Sequence, residues 1–211
     1  MTANRPQTLV LVSGTGTEVG KTWWAAATAR ALSARGRAVS ARKPAQSFDP
    51  DEPTTDAEVL GAATGEDPAT VCAPHRWYEV PMAPPMAAAA LGRPTFSIAD
   101  LVADLSWPAA TDVGLVESAG GPRSPLAADG DTITLTEALA PDLVVLVADA
   151  GLGTINAVRL ALDAFGTLAP VVVALNRYDD VLPLHRANRD WLEAKPGCSI
   201  VTDPADLADR L

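Results

Sequence analysis

The feature that most constrains this chain is an apolar run that leads directly into a glycine-rich turn. Residues 8–13 (TLVLVS) are rich in β-branched residues and are followed by GTGTEVGKT at residues 14–22. The alanine-rich segment 22–36 comes next, carries arginine near its end and stops at a glycine, as helices do. A strand, such a turn ending in Lys-Thr and a helix surround phosphate oxygens with backbone N–H groups. The sequence therefore predicts a mononucleotide-binding loop.

Apolar runs alternate with helix-period segments along the rest of the chain. Strands are predicted at residues 38–43, 113–117, 143–149, 170–176 and, as an edge strand, 198–201. Helices are predicted at residues 56–65, 83–92, 97–105, 155–166 and 183–195. Strands of this kind are typical of a parallel sheet buried on both faces. We predict an α/β, single-domain P-loop fold over residues 1–211, with a mostly parallel central sheet, helices on both faces and a flexible segment 1–6.

Four of the predicted strands end in residues that suit ligand binding. These ends are Gly14, Lys43, Glu117 and Asn176. In open parallel sheets, ligands bind beyond the carboxyl ends of the strands. We therefore expect these four positions to lie around one site.

The glycine-rich loop assigns roles to its own residues. Lys21 is expected to reach the β- and γ-phosphates, and the Thr22 hydroxyl to ligate Mg²⁺. The strict phosphate-loop pattern has glycine where this chain has Thr15, so the match is to a variant one residue longer. A chance glycine-rich turn is the alternative, but the flanking strand and helix favour nucleotide binding. The expected nucleotide contacts are Gly16, Thr17, Glu18, Val19, Gly20, Lys21 and Thr22.

Charge and cysteine content exclude several classes of partner. The formal charge of −10 argues against nucleic acid and acidic membranes as partners, since both need a positive face. Cys72 and Cys198 stand alone, which indicates reduced thiols rather than a disulfide or zinc framework. Residues 1–7 lack a signal-peptide pattern, and no apolar run approaches the ~20 residues of a membrane span. We expect a cytoplasmic protein.

Three further motifs accompany the phosphate loop, in order along the chain. They are KPAQSF at residues 43–48, VESAGG at 116–121 and LGTIN at 152–156. With the loop, they resemble the dethiobiotin synthetase family of P-loop proteins, whose patterns are GTxTxVGKT, KPxx[ST]G, VEGAGG and LGx[IL]N. The resemblance implies an ATP- and Mg²⁺-dependent ligase that closes a ureido ring on 7,8-diaminopelargonate with CO₂. It also implies a homodimer with a shared active site.

The second lysine of the motif set acquires a role through this resemblance. Such a reaction requires an anionic carbamate to meet the γ-phosphoryl group of ATP, so positive charge must neutralise both. Lys21 would face the phosphates, and Lys43 the carbamate and the transferring phosphoryl group. Thr17 and Ser47 would donate hydrogen bonds to substrate oxygens. Without the resemblance, the simpler interpretation of Lys43 is a surface lysine at a strand end.

Three residues are candidate magnesium ligands. Thr22 is one, and the resemblance implies Asp56 and Glu117 as the others. Glu117 also directly follows an apolar strand, as a Walker-B acid does, whereas Asp149, which ends another strand, is expected to be structural. Asp56 has a simpler alternative as a helix cap.

The remaining motif residues are assigned to substrate and base. The Gly120-Gly121 turn should offer free backbone N–H groups to an anion. By resemblance, the segment containing Gly153, Thr154 and Asn156 comes from the partner subunit and holds the substrate's carboxylate; an N-cap at Thr154 is compatible with this. Asn176 resembles an adenine-contacting asparagine, with a turn-forming role as the alternative.

Three departures from the family patterns bear on the acceptor substrate. Phe48 stands where the family has glycine, Ser118 replaces the first glycine of GAGG, and Pro122-Arg123 would add a cation near the substrate-carboxylate end. One alternative is therefore a related ligase that activates a different amine or carboxylate. Another is a non-catalytic dimeric P-loop ATPase of the partition type. That class carries a second lysine inside the loop, where this chain has Thr15 or Gly16.

Overall fold

A computed structural model describes residues 5–195 and 197–211 as one α/β domain. Its strands are β1 (Thr8–Gly14), β2 (Val39–Arg42), β3 (Gln46–Ser47), β4 (Trp77–Tyr78), β5 (Val113–Glu117), β6 (Pro125–Ala127), β7 (Gly130–Asp131), β8 (Leu143–Asp149), β9 (Val171–Asn176) and β10 (Ser199–Val201). Its helices are α1 (Lys21–Ala34), α2 (Asp56–Thr64), α3 (Pro68–Val71), α4 (Pro84–Ala90), α5 (Ile98–Ala103), α6 (Thr132–Leu139), α7 (Thr154–Phe165), α8 (Pro183–Glu193) and α9 (Pro204–Ala208).

Six strands form the central sheet, in the order β10-β9-β8-β1-β5-β2. Every pairing in this sheet is parallel. All six strands coincide with predicted ones, and β10 lies at an edge as expected, so the predicted α/β P-loop fold with a parallel sheet is confirmed. Consecutive strands along the chain are not always neighbours, which lets β1 and its phosphate loop lie in the middle of the sheet.

Helices cover both faces of the sheet, because successive side chains of a strand point to opposite sides. In β1, Leu9 and Leu11 pack into one buried cluster together with Phe165 of α7. Val10 and Val12 pack into the other cluster, with Trp24 of α1. The burial of both faces explains the near-continuous apolar runs from which the strands were predicted.

Several short elements have no counterpart in the sequence-based predictions. The two-residue strands β3 and β4 pair in parallel, Gln46 with Trp77, and lie outside the main sheet. Helix α6 begins after Asp131, whose side chain accepts hydrogen bonds from two backbone N–H groups of the first turn. Two-residue strands show no periodicity, so the sequence could not reveal them.

The start of the described chain is anchored on the sheet. Residues 1–4 of the predicted flexible segment 1–6 lie outside the described residues. Arg5 pairs with Asp142 at 3.1 Å, and Pro6 is buried. Across the described ranges, no helix combines the length and apolarity needed to cross a membrane.

Candidate active site

A cavity of about 720 Å³ opens at the carboxyl ends of the central strands. Topology places it there: β1 ends in the phosphate loop, and β5 and β2 follow it in the sheet. The predicted site residues that line it are Thr17, Glu18, Gly20, Lys21, Thr22, Lys43, Ser47, Asp56, Glu117 and Gly120. The structure therefore brings together residues that lie about 100 positions apart in sequence.

The phosphate loop closes on itself around its lysine. Lys21 is buried, and its Nζ donates to Gly16 O at 2.8 Å. Burial, followed by repulsion from Lys43, lowers the pKa of Lys21 to about 8. Glu18 has a positive φ of 59° and Gly20 one of 95°, so the chain turns sharply just before α1. These contacts fix the loop in the shape that surrounds phosphate oxygens.

Asn176 supports the phosphate loop from the end of β9. It is 8% exposed, and its Nδ2 donates to Val19 O at 2.9 Å. A Cβ atom on Gly20 would lie 2.1 Å from that same nitrogen, so any other residue at this position would displace the Asn176 amide and would also be strained at φ +95°. The structure thus assigns the Asn176 amide a part in holding the loop; its contact with a base remains a prediction.

The four predicted lysine, acid and hydroxyl groups form one cluster. Lys43 Nζ lies 2.7 Å from Asp56 Oδ2 and 2.6 Å from Glu117 Oε1. Thr22 Oγ1 lies 2.7 Å from Asp56 Oδ1 and 2.9 Å from Glu117 Oε1. Helix α2 is capped by Thr55 rather than Asp56, which leaves the Asp56 carboxylate free for this cluster. The helix-cap alternative for Asp56 is therefore wrong.

Burial and ion pairing together set the charge states in this cluster. Burial would lower the pKa of Lys43, but the carboxylates of Asp56 and Glu117 outweigh it and raise that pKa above its ordinary value. Burial disfavours the Asp56 carboxylate, yet Lys43 lowers the pKa of that group. Burial raises the pKa of Glu117, because desolvation of a 1% exposed carboxylate outweighs its attraction to Lys43. Lys43 is thus a charged ammonium group held between two acids.

The same cluster fits a magnesium ion. Carboxylate and hydroxyl oxygens are hard ligands, and Mg²⁺ is normally held by few protein groups together with water and phosphate. The described residues contain no group of three or more His, Cys, Asp and Glu suited to a metal. Two carboxylates and one hydroxyl match the smaller demand of magnesium. In addition, Glu117 Oε2 is buried and lacks a hydrogen-bond partner among the described residues.

Asp149 lies outside this cluster, as expected for a structural residue. Its Oδ1 accepts from Gly151 N at 2.8 Å, and its Oδ2 pairs with Arg177 Nη1 at 2.9 Å. Arg177 Nη2 in turn donates to Glu18 O at 3.2 Å. Arg177 lines the cavity and was missed by the sequence analysis, although it directly follows Asn176.

One wall of the cavity is built on β3, which pairs with β4. Ser47 Oγ donates to Met82 O, so its hydroxyl holds the loop that follows β4. Phe48 N donates to Tyr78 O at 3.0 Å, and its ring meets Trp77 edge-on at 6.4 Å between centroids. Phe48 also lines the cavity. Its ring occupies space that a glycine would leave open.

The other two departures have smaller effects on the cavity. Ser118 is buried and is not among the residues with positive φ, so serine in place of glycine costs no backbone strain. Arg123 pairs with Asp131 at 3.1 Å and is not among the residues that line the described cavity. Lys43 Nζ donates to Ser118 O at 3.4 Å, a backbone contact that does not depend on the serine side chain.

Of the two predicted anion-binding backbone groups, one differs from expectation. Gly120 has φ +67° and lines the cavity. The N–H of Gly121, however, donates to Ser124 Oγ at 2.9 Å, so the prediction of a free donor there is wrong. A serine three residues after a tight turn was a signal for this contact.

The LGTIN segment lies at the surface, away from its own cavity. Gly153 and Asn156 are exposed, and Gly153 caps α7 with φ +92°. The N-cap is therefore Gly153 and not Thr154, whose side chain is buried. None of these three residues is among those that line the described cavity.

Comparisons with known proteins agree with this geometry. The family model described as "AAA domain" matches residues 8–202. The ATP-dependent dethiobiotin synthetase BioD of Methylobacterium nodulans is 39% identical over 166 residues, which cover 73% of each chain. The protein of the same name from Rhodococcus jostii is 37% identical and covers 92% of this chain and 84% of its own. That from Haloferax mediterranei is 33% identical, over 92% and 82%.

Solved structures share the fold at low sequence identity. A plasmid partition protein from Borrelia burgdorferi superposes with a TM-score of 0.56 at 10% identity, covering 97% of this chain and 96% of its own. The signal recognition particle receptor FtsY from Elizabethkingia anophelis gives 0.55 at 14% identity, over 99% and 66%. These likenesses concern the P-loop architecture alone.

Proposed function

The chain belongs to the ATP-dependent dethiobiotin synthetase family, and we propose that it forms dethiobiotin from 7,8-diaminopelargonate, CO₂ and ATP. The observation that carries this proposal is the position of Lys43. Its charged ammonium group lies in the cavity beside the phosphate loop, 2.6 Å from the buried Glu117 carboxylate. A cation placed between a nucleotide site and an acceptor pocket suits activation of an anion by phosphoryl transfer.

The proposed reaction has three bond-forming steps. One amine of the substrate attacks CO₂, forming an N–C bond and losing a proton to solvent, to give a carbamate. A carbamate oxygen then attacks the γ-phosphorus of ATP, and the bond to the β-phosphate oxygen breaks to release ADP. The second amine attacks the carbonyl carbon of the mixed anhydride, loses its proton and expels phosphate. The products are the cyclic urea, ADP and phosphate.

The protein's own groups position and neutralise anions in these steps. Backbone N–H groups of the loop and Lys21 hold the ATP phosphates, while Lys43 faces the carbamate oxygens and the transferring phosphoryl group. Thr17 and Gly120 line the same cavity and supply further donors toward the substrate. Thr22, Asp56 and Glu117 would hold Mg²⁺, which neutralises phosphate charge when bound.

A product assay tests the proposed function directly. The protein is incubated with ATP, Mg²⁺, bicarbonate and 7,8-diaminopelargonate, and both phosphate and dethiobiotin are measured. We expect one phosphate per dethiobiotin, with release dependent on the diamine. Phosphate release that ignores the diamine would point to the non-catalytic or partition-type ATPase. No phosphate release with the diamine, but release when another amine is supplied, would point to a ligase with a different acceptor.

Phe48 provides a prediction about the acceptor. Its ring lines the cavity, so it can pack against the hydrocarbon chain of the diamine. Replacing Phe48 with alanine should raise the KM for the diamine about fivefold through lost apolar contact and leave the KM for ATP unchanged. Steady-state kinetics with each substrate varied in turn measure both values. A lower diamine KM would show instead that the ring obstructs the acceptor pocket.

We further propose a cytoplasmic homodimer whose partner subunit completes the site. Leu152, the first residue of the LGTIN segment, is 92% exposed, and α7 presents Leu160, which is 62% exposed. Apolar side chains this exposed suit an interface between two copies. Gly153 and Asn156 would then reach the cavity of the partner and bind the substrate carboxylate. Both cysteines are free thiols, which suits a reducing compartment.

The dimer proposal predicts the effect of a charge at Leu160. Leu160→Asp places a carboxylate in the proposed apolar interface, so light scattering should show a monomer where the wild type is a dimer. Ring closure should fall about tenfold or more, because remote binding contacts contribute to catalysis. ATP affinity should be retained, since the phosphate loop is complete within one chain. A dimeric variant with full activity would contradict the proposed interface.

A further inference from the structure

Arg177 is a cationic residue of the cavity to which neither the motifs nor the proposed reaction assigns a role. It directly follows β9, lines the cavity and is 62% exposed at its side chain. Its backbone has φ +54°, a region that non-glycine residues rarely adopt. Strained residues of this kind persist where surrounding contacts hold them, and they are common at functional sites.

The guanidinium group is held at its edge by two contacts. Nη1 lies 2.9 Å from Asp149 Oδ2, and Nη2 donates to Glu18 O at 3.2 Å. Asp149 is itself fixed by the N–H of Gly151. These hydrogen bonds use donors that lie in the plane of the group, so its flat faces remain for recognition. A guanidinium face stacks on aromatic rings.

Sheet order determines which part of ATP lies near this group. Lys43 follows β2, at one edge of the sheet, whereas Arg177 follows β9, on the opposite side of β1. The phosphate loop follows β1, between them. The γ-phosphate must face Lys43, where the carbamate is activated, so the nucleoside must extend toward β9. Asn176, the predicted base contact, is 8% exposed and holds Val19 O.

We propose that Arg177 stacks on the nucleotide base, with Asp149 and Glu18 O positioning its guanidinium group. This inference rests on the proposed use of ATP but not on the identity of the acceptor. The contact concerns a ring face, which every base has, so it contributes affinity for the base without selecting among bases.

Nucleotide binding by Arg177→Gly tests this contact, because glycine tolerates φ +54° and the variant should fold. Calorimetry with Mg²⁺ compares ATP with tripolyphosphate, which has no base. We expect the Kd for ATP to rise about tenfold and the Kd for tripolyphosphate to stay within about twofold. Arg177→Lys should bind ATP as weakly as the glycine variant, because an ammonium group has no flat face. Ala140→Gly relaxes another positive φ, 44°, far from the cavity, and should change neither Kd.

Each other result overturns the inference. Unchanged ATP binding would make Arg177 a purely structural residue. Equal weakening of ATP and tripolyphosphate would show that it acts on the phosphates. Restoration by lysine would show that a point charge suffices. Because no diamine is present, a failure of dethiobiotin formation leaves these measurements valid, and the two proposals can fail separately.

Discussion

Lys43→Ala should lose ring closure by about 10³-fold in kcat, equivalent to about 4 kcal/mol, while ATP still binds. The side chain of Lys43 is 3% exposed, and its ammonium group lies between Asp56 and Glu117, where the acceptor is proposed to bind. Its charge is needed most when carbamate and phosphoryl oxygens approach each other. The change should therefore appear in kcat, measured as dethiobiotin formed per second at saturating ATP and diamine.

The stability of this variant must be measured beside its activity. Removal of Lys43 leaves the buried Glu117 carboxylate without its cation, so denaturant unfolding should show a loss of about 3 kcal/mol. Calorimetric titration with ATP on the folded variant then separates the two effects. A loss of ATP affinity as large as the loss of kcat would place Lys43 in nucleotide binding and contradict its assigned role.

Gly20→Ala should strongly weaken ATP binding, because it disrupts the phosphate loop. The new Cβ would lie 2.1 Å from Asn176 Nδ2, and the residue would keep φ +95°. Asn176 must then move and release Val19 O, so two costs add: left-handed strain and a lost buried hydrogen bond. We expect a loss of about 2–4 kcal/mol in unfolding free energy. Titration calorimetry should show ATP affinity reduced about a hundredfold or more.

Gly36→Ala separates the two causes. Gly36 has φ +79°, but nothing lies within 4 Å of an added Cβ. It should therefore lose only the conformational part, about 1 kcal/mol, and bind ATP as the wild type does. If Gly20→Ala resembles this control in both measurements, the close contact with Asn176 does not shape the loop.

Much of the fold and part of the site could be predicted from the sequence because the sheet is buried on both faces. Continuous apolar runs located all six strands of the central sheet, and their ends identified Lys43 and Glu117. That these two residues touch follows from sheet order, since β5 and β2 are neighbours. No single segment of the sequence reveals the order of the strands in the sheet. The joint role of Lys43 and Glu117 in one site was therefore inferred from the family resemblance.

The remaining contacts depend on where loops run in space. Ser47 reads as a substrate donor, yet Met82, 35 residues away, takes its hydroxyl. The β3–β4 pairing rests on two residues in each strand, too few for any periodic pattern. Asn176 reads equally as a base contact or a turn residue, and only the position of Val19 shows what its amide holds.

Because of the small β3–β4 sheet, the two halves of the cavity are supported by different parts of the fold. ATP would rest on the central sheet, whereas the acceptor wall, with Phe48 and the Ser47–Met82 contact, rests on a pair of two-residue strands. Substitutions in that pair can alter which amine is carboxylated without changing the residues that bind ATP. Divergence of acceptor choice within this architecture should therefore concentrate at Phe48 and its neighbours, while the phosphate loop stays the same.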